Sequence, residues 1–354
     1  MSSLFAPLSL RSLSFRNRIG ISPMCMYSST DGFPSDWHLV HLPARAVGGA
    51  GLVIQEATAV SPVGRISPND AGMWSDDHVE PWARVVKLVR EHGAVAGIQL
   101  AHAGTKAGTA RPWDGGQKLP VDRGGWQAVG VTDRPFKPTD PPVHALDDAE
   151  IQQVIRQFAD AAKRSLAAGY QVAEVHGAHG YLAHSFYSPL MNTRTDRWGG
   201  TFENRVRFIL EVTRAVRKVW PDSLPVFVRL SCSDWADGGW TIEDSIDLAR
   251  RLKAEGVDAI DCSSGGASLS ARMTIEPGYQ VPFASAIRRG ASMATAAVGL
   301  ITSAQQAERI VADGQADVVL LGRESLRDPH WPLRAARELA VVPPAPPQYL
   351  RAIQ

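Results

Sequence analysis

Apolar and polar positions repeat along the chain in one recurring unit: an amphipathic helix, a glycine at its end, then a short apolar strand that stops at glycine or a polar residue. "LAAGYQVAEVHG", "KAEGVDAIDCSSG" and "VADGQADVVLLG" are three clear copies. Gly169, Gly256 and Gly314 fall just past the helices, where a left-handed residue without a Cβ closes the last turn. The helices carry start signals as well. Asp147 with Glu150 makes a capping-box pattern ahead of Ile151, Val154, Ile155 and Phe158, and Thr241 and Ser303 are N-cap candidates for two later helices.

The same rule predicts eight strands, near residues 18–24, 51–58, 94–101, 172–177, 225–231, 259–264, 294–299 and 316–322. They are apolar on both sides, as strands buried between helices are. Helices are expected near 37–48, 76–92, 147–168, 203–219, 242–255 and 303–313, with "YQVPFASAIRRG" as a weaker crossover. Eight parallel strands alternating with helices imply an α/β fold, a (β/α)8 TIM barrel, as a single domain over residues 1–354. A doubly wound sheet competes, but no strand is followed by its usual GxGxxG loop. Two segments fall outside the repeat. Residues 102–146 form a long Gly-, Pro- and Trp-rich excursion after the third strand, of a length typical of lids and binding elements. The Pro-rich tail 341–354 is expected to be non-helical and to lie over a surface, its own or a neighbour's.

Composition narrows the partners. A 44% apolar content suits a large core, and 37 Lys+Arg against 36 Asp+Glu, with no run of like charge, leaves nothing to attract nucleic acid or an anionic membrane. The three cysteines, Cys25, Cys232 and Cys262, are too few and too scattered for a disulfide framework, a CxxC metal knuckle or an iron-sulfur cluster. A reducing, cytoplasmic setting follows. The first thirty residues have transit-peptide composition but no secretory apolar core, and "RIGISPM" already reads as a strand.

In such a barrel the chemistry lies at the C-terminal ends of the strands. Those ends read "SPMCMY", "EATAV", "QLAHAG", "HGAHGY", "RLS", "CSSGG", "AVGLI" and "LGRESL". At the last two, Gly299, Gly322 and Arg323 could supply amides and a cation to a phosphate; tight turns and a solvated arginine are the alternative. Arg229, inside the apolar "PVFVRLS", needs an anionic or electron-rich partner, or an Asp or Glu within the barrel. Gln99 offers one donor and one acceptor, the complement of an amide-like ring edge. Together they describe a site for a planar heterocycle with a phosphate tail. "EVHGAHGYLAHSF" (174–186) leaves three readings: zinc ligands on HxxH spacing, packed core histidines, or a substrate-holding pair.

With these motifs in order, the chain resembles the Old Yellow Enzyme family of flavin-dependent ene-reductases, the NADH:flavin oxidoreductase / NADPH dehydrogenase group. It is most similar to the bacterial subclass with a Cys at the end of the first strand. The similarity runs from "LFAPLSLRSLSFRNRIGISPMCMYS" through "QLAHAGTKA", "EVHGAHGYLAHSFYSPLMNTRTDRWGGTFENR" and "LGRESLRDPHWP" to "PPQYLR". The resemblance implies FMN as cofactor, NADPH or NADH as hydride donor, and an activated alkene, an α,β-unsaturated carbonyl or nitro compound, as a small-molecule partner.

Carried over by position, the resemblance implies that Ser22, Pro23, Met24 and Cys25 line the flavin, with Cys25 tuning its potential, and that Ala57 packs on the ring. Gln99 and Arg229 would meet the pyrimidine edge, and Gly299, Gly322 and Arg323 the phosphate. His176 and His179 would hold the substrate oxygen, Tyr181 would supply a proton, and Tyr27 would border the substrate pocket. No metal is implied, and His102 and His184 are expected to be structural. Arg351 matches an arginine that reaches into a neighbouring subunit's site, which implies a homodimer or higher homo-oligomer. Trp198 departs from the family's usual Tyr in "RTDxYGG", a change of pocket rim or of packing.

Overall fold

The computed structural model describes residues 2–352. In chain order its strands are β1 (Leu8–Leu10), β2 (Leu13–Phe15), β3 (Ile19–Ile21), β4 (Leu52–Ala59), β5 (Val95–Ala101), β6 (Val129–Gly130), β7 (His144–Ala145), β8 (Val172–Gly177), β9 (Val226–Ser231), β10 (Ala259–Ser263), β11 (Ala294–Ala297) and β12 (Val318–Leu321). The helices are α1 (Asp36–Val47), α2 (Val79–Glu91), α3 (Asp148–Ala167), α4 (Leu182–Tyr187), α5 (Phe202–Val219), α6 (Ile242–Ala254), α7 (Val281–Ala291), α8 (Ala304–Ala312), α9 (Arg323–Arg327) and α10 (Trp331–Glu338). Strands β3, β4, β5, β8, β9, β10, β11 and β12 pair in parallel and close into a TIM barrel. These are the eight predicted strands. The sequence "YQVPFASAIRRG" forms most of α7, a full crossover helix.

The local signals act as anticipated. Asp147 accepts from the Glu150 amide while Glu150 caps the Asp147 amide, and Thr241 and Ser303 accept from Asp244 and Gln306. Gly169, Gly256 and Gly314 have φ of 94°, 87° and 65°. Between barrel and helices runs a continuous apolar layer in which Phe158, Phe208, Trp82 and Trp331 are fully buried.

Inside the barrel, Leu52, Ile54, Val95, Val172, Phe227, Ala259, Ala296, Val318 and Leu320 pack as an apolar plug, sealed below by Leu13 and Phe15 of the β1–β2 hairpin. Each large side chain buried there contributes about 1.5–3 kcal/mol. The hairpin was not predicted, because three-residue strands are too short to display a period. Above the plug the inward residues turn polar, so the interior is a closed floor at one end and a reactive layer at the other.

The excursion 102–146 is a run of 3-10 turns around the short β6–β7 ladder. Arg194 donates to the carbonyls of Val131 (2.9 Å) and Leu146 (2.7 Å), and Trp126 Nε1 donates to Val63 O at 3.0 Å. Its tips at Trp113, Val121 and Arg134 are exposed. The tail corrects the sequence expectation in one respect: Pro347–Ala352 forms a 3-10 turn. Proline at the first position of a helical turn costs nothing, because its missing N–H would be unpaired there anyway. Pro344 packs near Gly49 and Tyr349 lies 5.6 Å from the His330 ring, so the tail rests on its own barrel.

Candidate active site

A cleft of about 290 Å³ opens at the C-terminal ends of the barrel strands. It is lined by Ser22, Pro23, Met24 and Cys25 after β3, Ala57 of β4, Gln99 of β5, Arg229 of β9, and Gly299, Gly322 and Arg323 beyond β11 and β12. His176, His179 and Tyr181 line it from the β8–α4 turn. Strand period explains the convergence, since residues two apart face the same side: Glu174 with His176, Arg229 with Ser231, Asp261 with Ser263. A register shift between Gln55 and Ala57 sets Ala57 opposite Gln99.

The two histidines and the tyrosine form one aromatic corner. The His176 ring lies 5.2 Å from that of His179 and 5.0 Å from that of Tyr181, both edge-on. His176 Nδ1 accepts from the Ala178 amide at 3.3 Å, so the hydrogen-bond network assigns the proton to Nε2. His179 Nε2 is 2.7 Å from Ser263 Oγ, and Ser263 in turn approaches Gln280 Oε1 at 3.4 Å. Burial, then the Arg229 charge, holds both imidazoles well below their ordinary pKa, in the neutral form. Burial pushes the Tyr181 phenol well above its usual value, so it keeps its proton. Cys25 is likewise held as a thiol, first by burial and then by Asp70 and Glu56.

His179 adopts a left-handed backbone, φ 61°, that a non-glycine residue takes only under constraint. Its amide donates to Ser231 Oγ at 2.9 Å and its carbonyl accepts from Lys106 Nζ at 2.7 Å. Lys106 also donates to Gly266 O at 2.7 Å and stands 4.0 Å from the Phe136 ring centroid, tying the excursion to the site. Burial lowers its pKa to about 8.

Across the floor, Gln99 Nε2 donates to Glu174 Oε1 at 2.8 Å, which turns the Gln99 oxygen toward the cleft. Arg229 Nε stands 3.1 Å from Asp261 Oδ2. A carboxylate partner within the barrel, the alternative left open by the sequence, is therefore present. The contact at Nε is an ion pair and not a hydrogen bond, and no Arg229 nitrogen hydrogen-bonds to any described residue, which leaves the guanidinium donors for a ligand. At the far end, a Cβ on Gly299 (φ 123°) would press the Tyr279 ring at 3.0 Å, a requirement of the turn itself. Gly322 differs: a Cβ there would meet nothing nearer than Met24 Sδ at 4.0 Å, so its missing side chain leaves open space along the cleft. A planar ring with an amide-like edge and an anionic tail fits this donor set.

Tyr27 and Arg351 do not line the cleft. Tyr27 packs with Cys25, Ala57 and Tyr181 beside it, while Arg351 is exposed in the tail. Trp198 is fully buried and donates to Asp148 Oδ1 at 2.8 Å, a packing role away from the rim. His184 accepts from the Gly180 amide and donates to Asp234 at 2.9 Å, and His102 accepts from the Gly104 amide; both shape turns. Among the described residues no three His, Cys, Asp or Glu side chains converge as metal ligands. Ser263, Tyr279, Gln280 and Lys106 were not singled out from sequence. Ser263 stood in the strand end "CSSGG", but only three-dimensional convergence distinguishes it from Ser264.

The profile of the NADH:flavin oxidoreductase / NADH oxidase family matches residues 3–341. The chain belongs to that family. An NADPH dehydrogenase of Geobacillus thermodenitrificans is 48% identical over 350 residues, 98% of each chain. Among solved structures, morphinone reductase superposes with a TM-score of 0.80 at 26% identity, covering 97% of this chain and 91% of its own. A 2-naphthoyl-CoA reductase in complex with 2-naphthoyl-CoA gives a TM-score of 0.85 at 25% identity over 95% of this chain, which spans only 52% of that larger one. The chain is an NAD(P)H-dependent flavin oxidoreductase, and its cleft lies at the C-terminal ends of the strands, the face on which TIM barrels in general carry chemistry.

Proposed function

We propose that the cleft binds FMN and reduces activated C=C bonds of α,β-unsaturated carbonyl or nitro compounds at the expense of NADPH or NADH. The observation that carries the reading is the corner of His176, His179 and Tyr181 at one cleft that also holds an Arg229 edge without a hydrogen-bond partner. Ser22, Pro23, Met24, Cys25 and Ala57 would line the ring, Gln99 and Arg229 its pyrimidine edge, and Gly299, Gly322 and Arg323 the phosphate.

When bound, the flavin supplies a two-electron relay that takes a hydride from the nicotinamide and delivers it to the alkene β-carbon. Everything else falls to the chain. His176 Nε2–H and an N–H of His179 donate to the substrate oxygen and draw electron density away from Cβ. Their depressed pKa values keep them neutral, so each holds a single N–H, at Nε2 in His176. Tyr181, with its raised pKa, places a proton at Cα as general acid. Arg229 offers fixed positive charge where negative charge accumulates on reduction. Nicotinamide and alkene would occupy the same pocket, beside His176 and His179, in turn, a ping-pong order.

We also propose a homodimer or higher oligomer in a reducing, cytoplasmic setting. The exposed Arg351, remote from its own cleft, is available to a neighbour's, and Cys25, Cys232 and Cys262 are all unpaired. No helix among the described residues is long and apolar enough to cross a membrane.

One experiment tests the chemistry. The purified protein is expected to be yellow, to release FMN on denaturation, to bleach with NADPH without oxygen, and to regain colour with cyclohexenone. A protein without flavin, or one that bleaches but ignores the enone, would overturn the reading.

A further inference from the structure

Beneath the cleft, two carboxylates are sealed in the barrel. Glu174 and Asp261 are both 0% exposed. They come from strands on either side of β9, and Asp261 pairs in register with Arg229, while Gln99 pairs with Glu174. Glu174 Oε2 and both oxygens of Asp261 find no hydrogen-bond partner among the described residues. Three buried carboxylate oxygens with no donor are costly if both groups are ionised. The charged group in contact is Arg229, beside Asp261, and Gln99 is the neutral neighbour, beside Glu174. Two negative charges against one positive would leave a net negative floor, opposed to the charge that reduction adds above it.

We propose that Glu174 and Asp261 act as a pair that retains one proton, so that a single negative charge, shared between them, offsets Arg229 while they aim Arg229 and Gln99 at the flavin's pyrimidine edge. They are positioning residues, acting through Arg229 and Gln99 rather than touching the reacting atoms. The inference rests on the flavin reading above. Burial raises the pKa of both carboxyls, the Asp261 charge raises that of Glu174 further, and Arg229 acts against both shifts. His176 and His179, which line the cleft above, stay neutral, and Cys262 beside Asp261 is held as a thiol, so none adds charge.

The pair makes a non-additive prediction for the midpoint potential of the bound flavin. In Glu174→Gln the charge stays on Asp261, and in Asp261→Asn it passes to Glu174. Each single variant is therefore expected to shift the equilibrium between oxidised and reduced flavin by less than about threefold. The double variant leaves Arg229 unopposed and is expected to favour the reduced form by tenfold or more, about 30 mV for a two-electron couple. Infrared spectra of the yellow wild type are expected to contain a buried carboxylic-acid C=O band that both single variants lose, a readout that survives if the double variant fails to fold. A wild type without flavin would sink the flavin reading and this inference together. A yellow wild type whose single variants shift additively, or whose acid band is missing or persists in both, overturns the pair alone.

Discussion

Lys106 Nζ donates to the His179 carbonyl oxygen at 2.7 Å, and the residue it holds has the left-handed backbone that presents one imidazole to the cleft. Strain at such a position persists only while its surroundings enforce it. Lys106→Met is expected to keep the flavin but lower kcat/KM for an enone by roughly 10²-fold, the scale on which a displacement of about 1 Å acts. Steady-state kinetics with the flavin content measured in parallel check it, and a variant of undiminished kcat/KM would exclude the role.

In the proposed substrate pose Ser263 would compete with substrate for His179. Its hydroxyl occupies Nε2 at 2.7 Å, so an oxygen held by both histidines either takes the other ring nitrogen or displaces the serine. Removing the competitor in Ser263→Ala is expected to lower the KM for cyclohexenone by up to about fivefold, the worth of a hydrogen bond near 1 kcal/mol. A raised KM would mean that Ser263 orients the ring instead.

Tyr181→Phe separates the two half-reactions. Removing a general acid typically costs 10²–10⁴-fold, and only the alkene needs the proton. Stopped-flow traces are expected to show flavin reduction by NADPH within about threefold of wild type and reoxidation by cyclohexenone slowed at least about 10²-fold. Equal slowing of both phases contradicts the assignment.

Two glycines at the end of the cleft proposed to hold the phosphate are expected to respond differently. Gly322→Ala meets no protein atom nearer than 4.0 Å and fills open space along the cleft, so flavin affinity is expected to fall about tenfold, some 1.4 kcal/mol, beyond any loss of thermal midpoint from its backbone at ψ −110°. Gly299→Ala, strained at φ 123° and pressed on Tyr279, should lower the melting temperature itself. Melting curves with and without FMN distinguish them.

Acid stability follows from buried neutral histidines. Burial lowers the pKa of His102 to about 4 and that of His41 to about 3, against an ordinary value near 6.5. The unfolded chain then binds protons that the folded one refuses. The stability these histidines contribute is fully present above pH 6.5 and falls with pH, by about 1.4 kcal/mol per unit for each group, until its folded pKa is reached. Urea titrations of His102→Gln between pH 6.5 and pH 4 should show a slope reduced by one proton, and an unchanged slope would reject the assignment.

Much of this site was legible in the chain. Strand ends such as "HGAHGY" and "SPMCMY" mark where side chains converge, because a parallel barrel sends every strand to the same face. What escaped the sequence depends on contacts between distant residues. Lys106 and His179 are 73 positions apart, and nothing local distinguishes a lysine that binds two carbonyls from a solvated one. The carboxylate beside Arg229 was anticipated as a possibility, but its identity as Asp261 depends on the register between β9 and β10. The hairpin that plugs the barrel was missed for its brevity, and the turn at the chain's end because a run of prolines masks a start that proline tolerates.

The excursion is pinned near its base and free at its tips. Arg194 grips the carbonyls of Val131 and Leu146, Lys106 meets Phe136, and Trp113, Val121 and Arg134 face solvent. Side chains at the exposed tips can thus vary while the grips at Val131, Leu146 and Phe136 stay in place. Substitutions at Val121, Arg123 or Arg134, which face solvent, would leave the cleft's own lining untouched, so any change they bring in alkene preference would come through the outer surface alone.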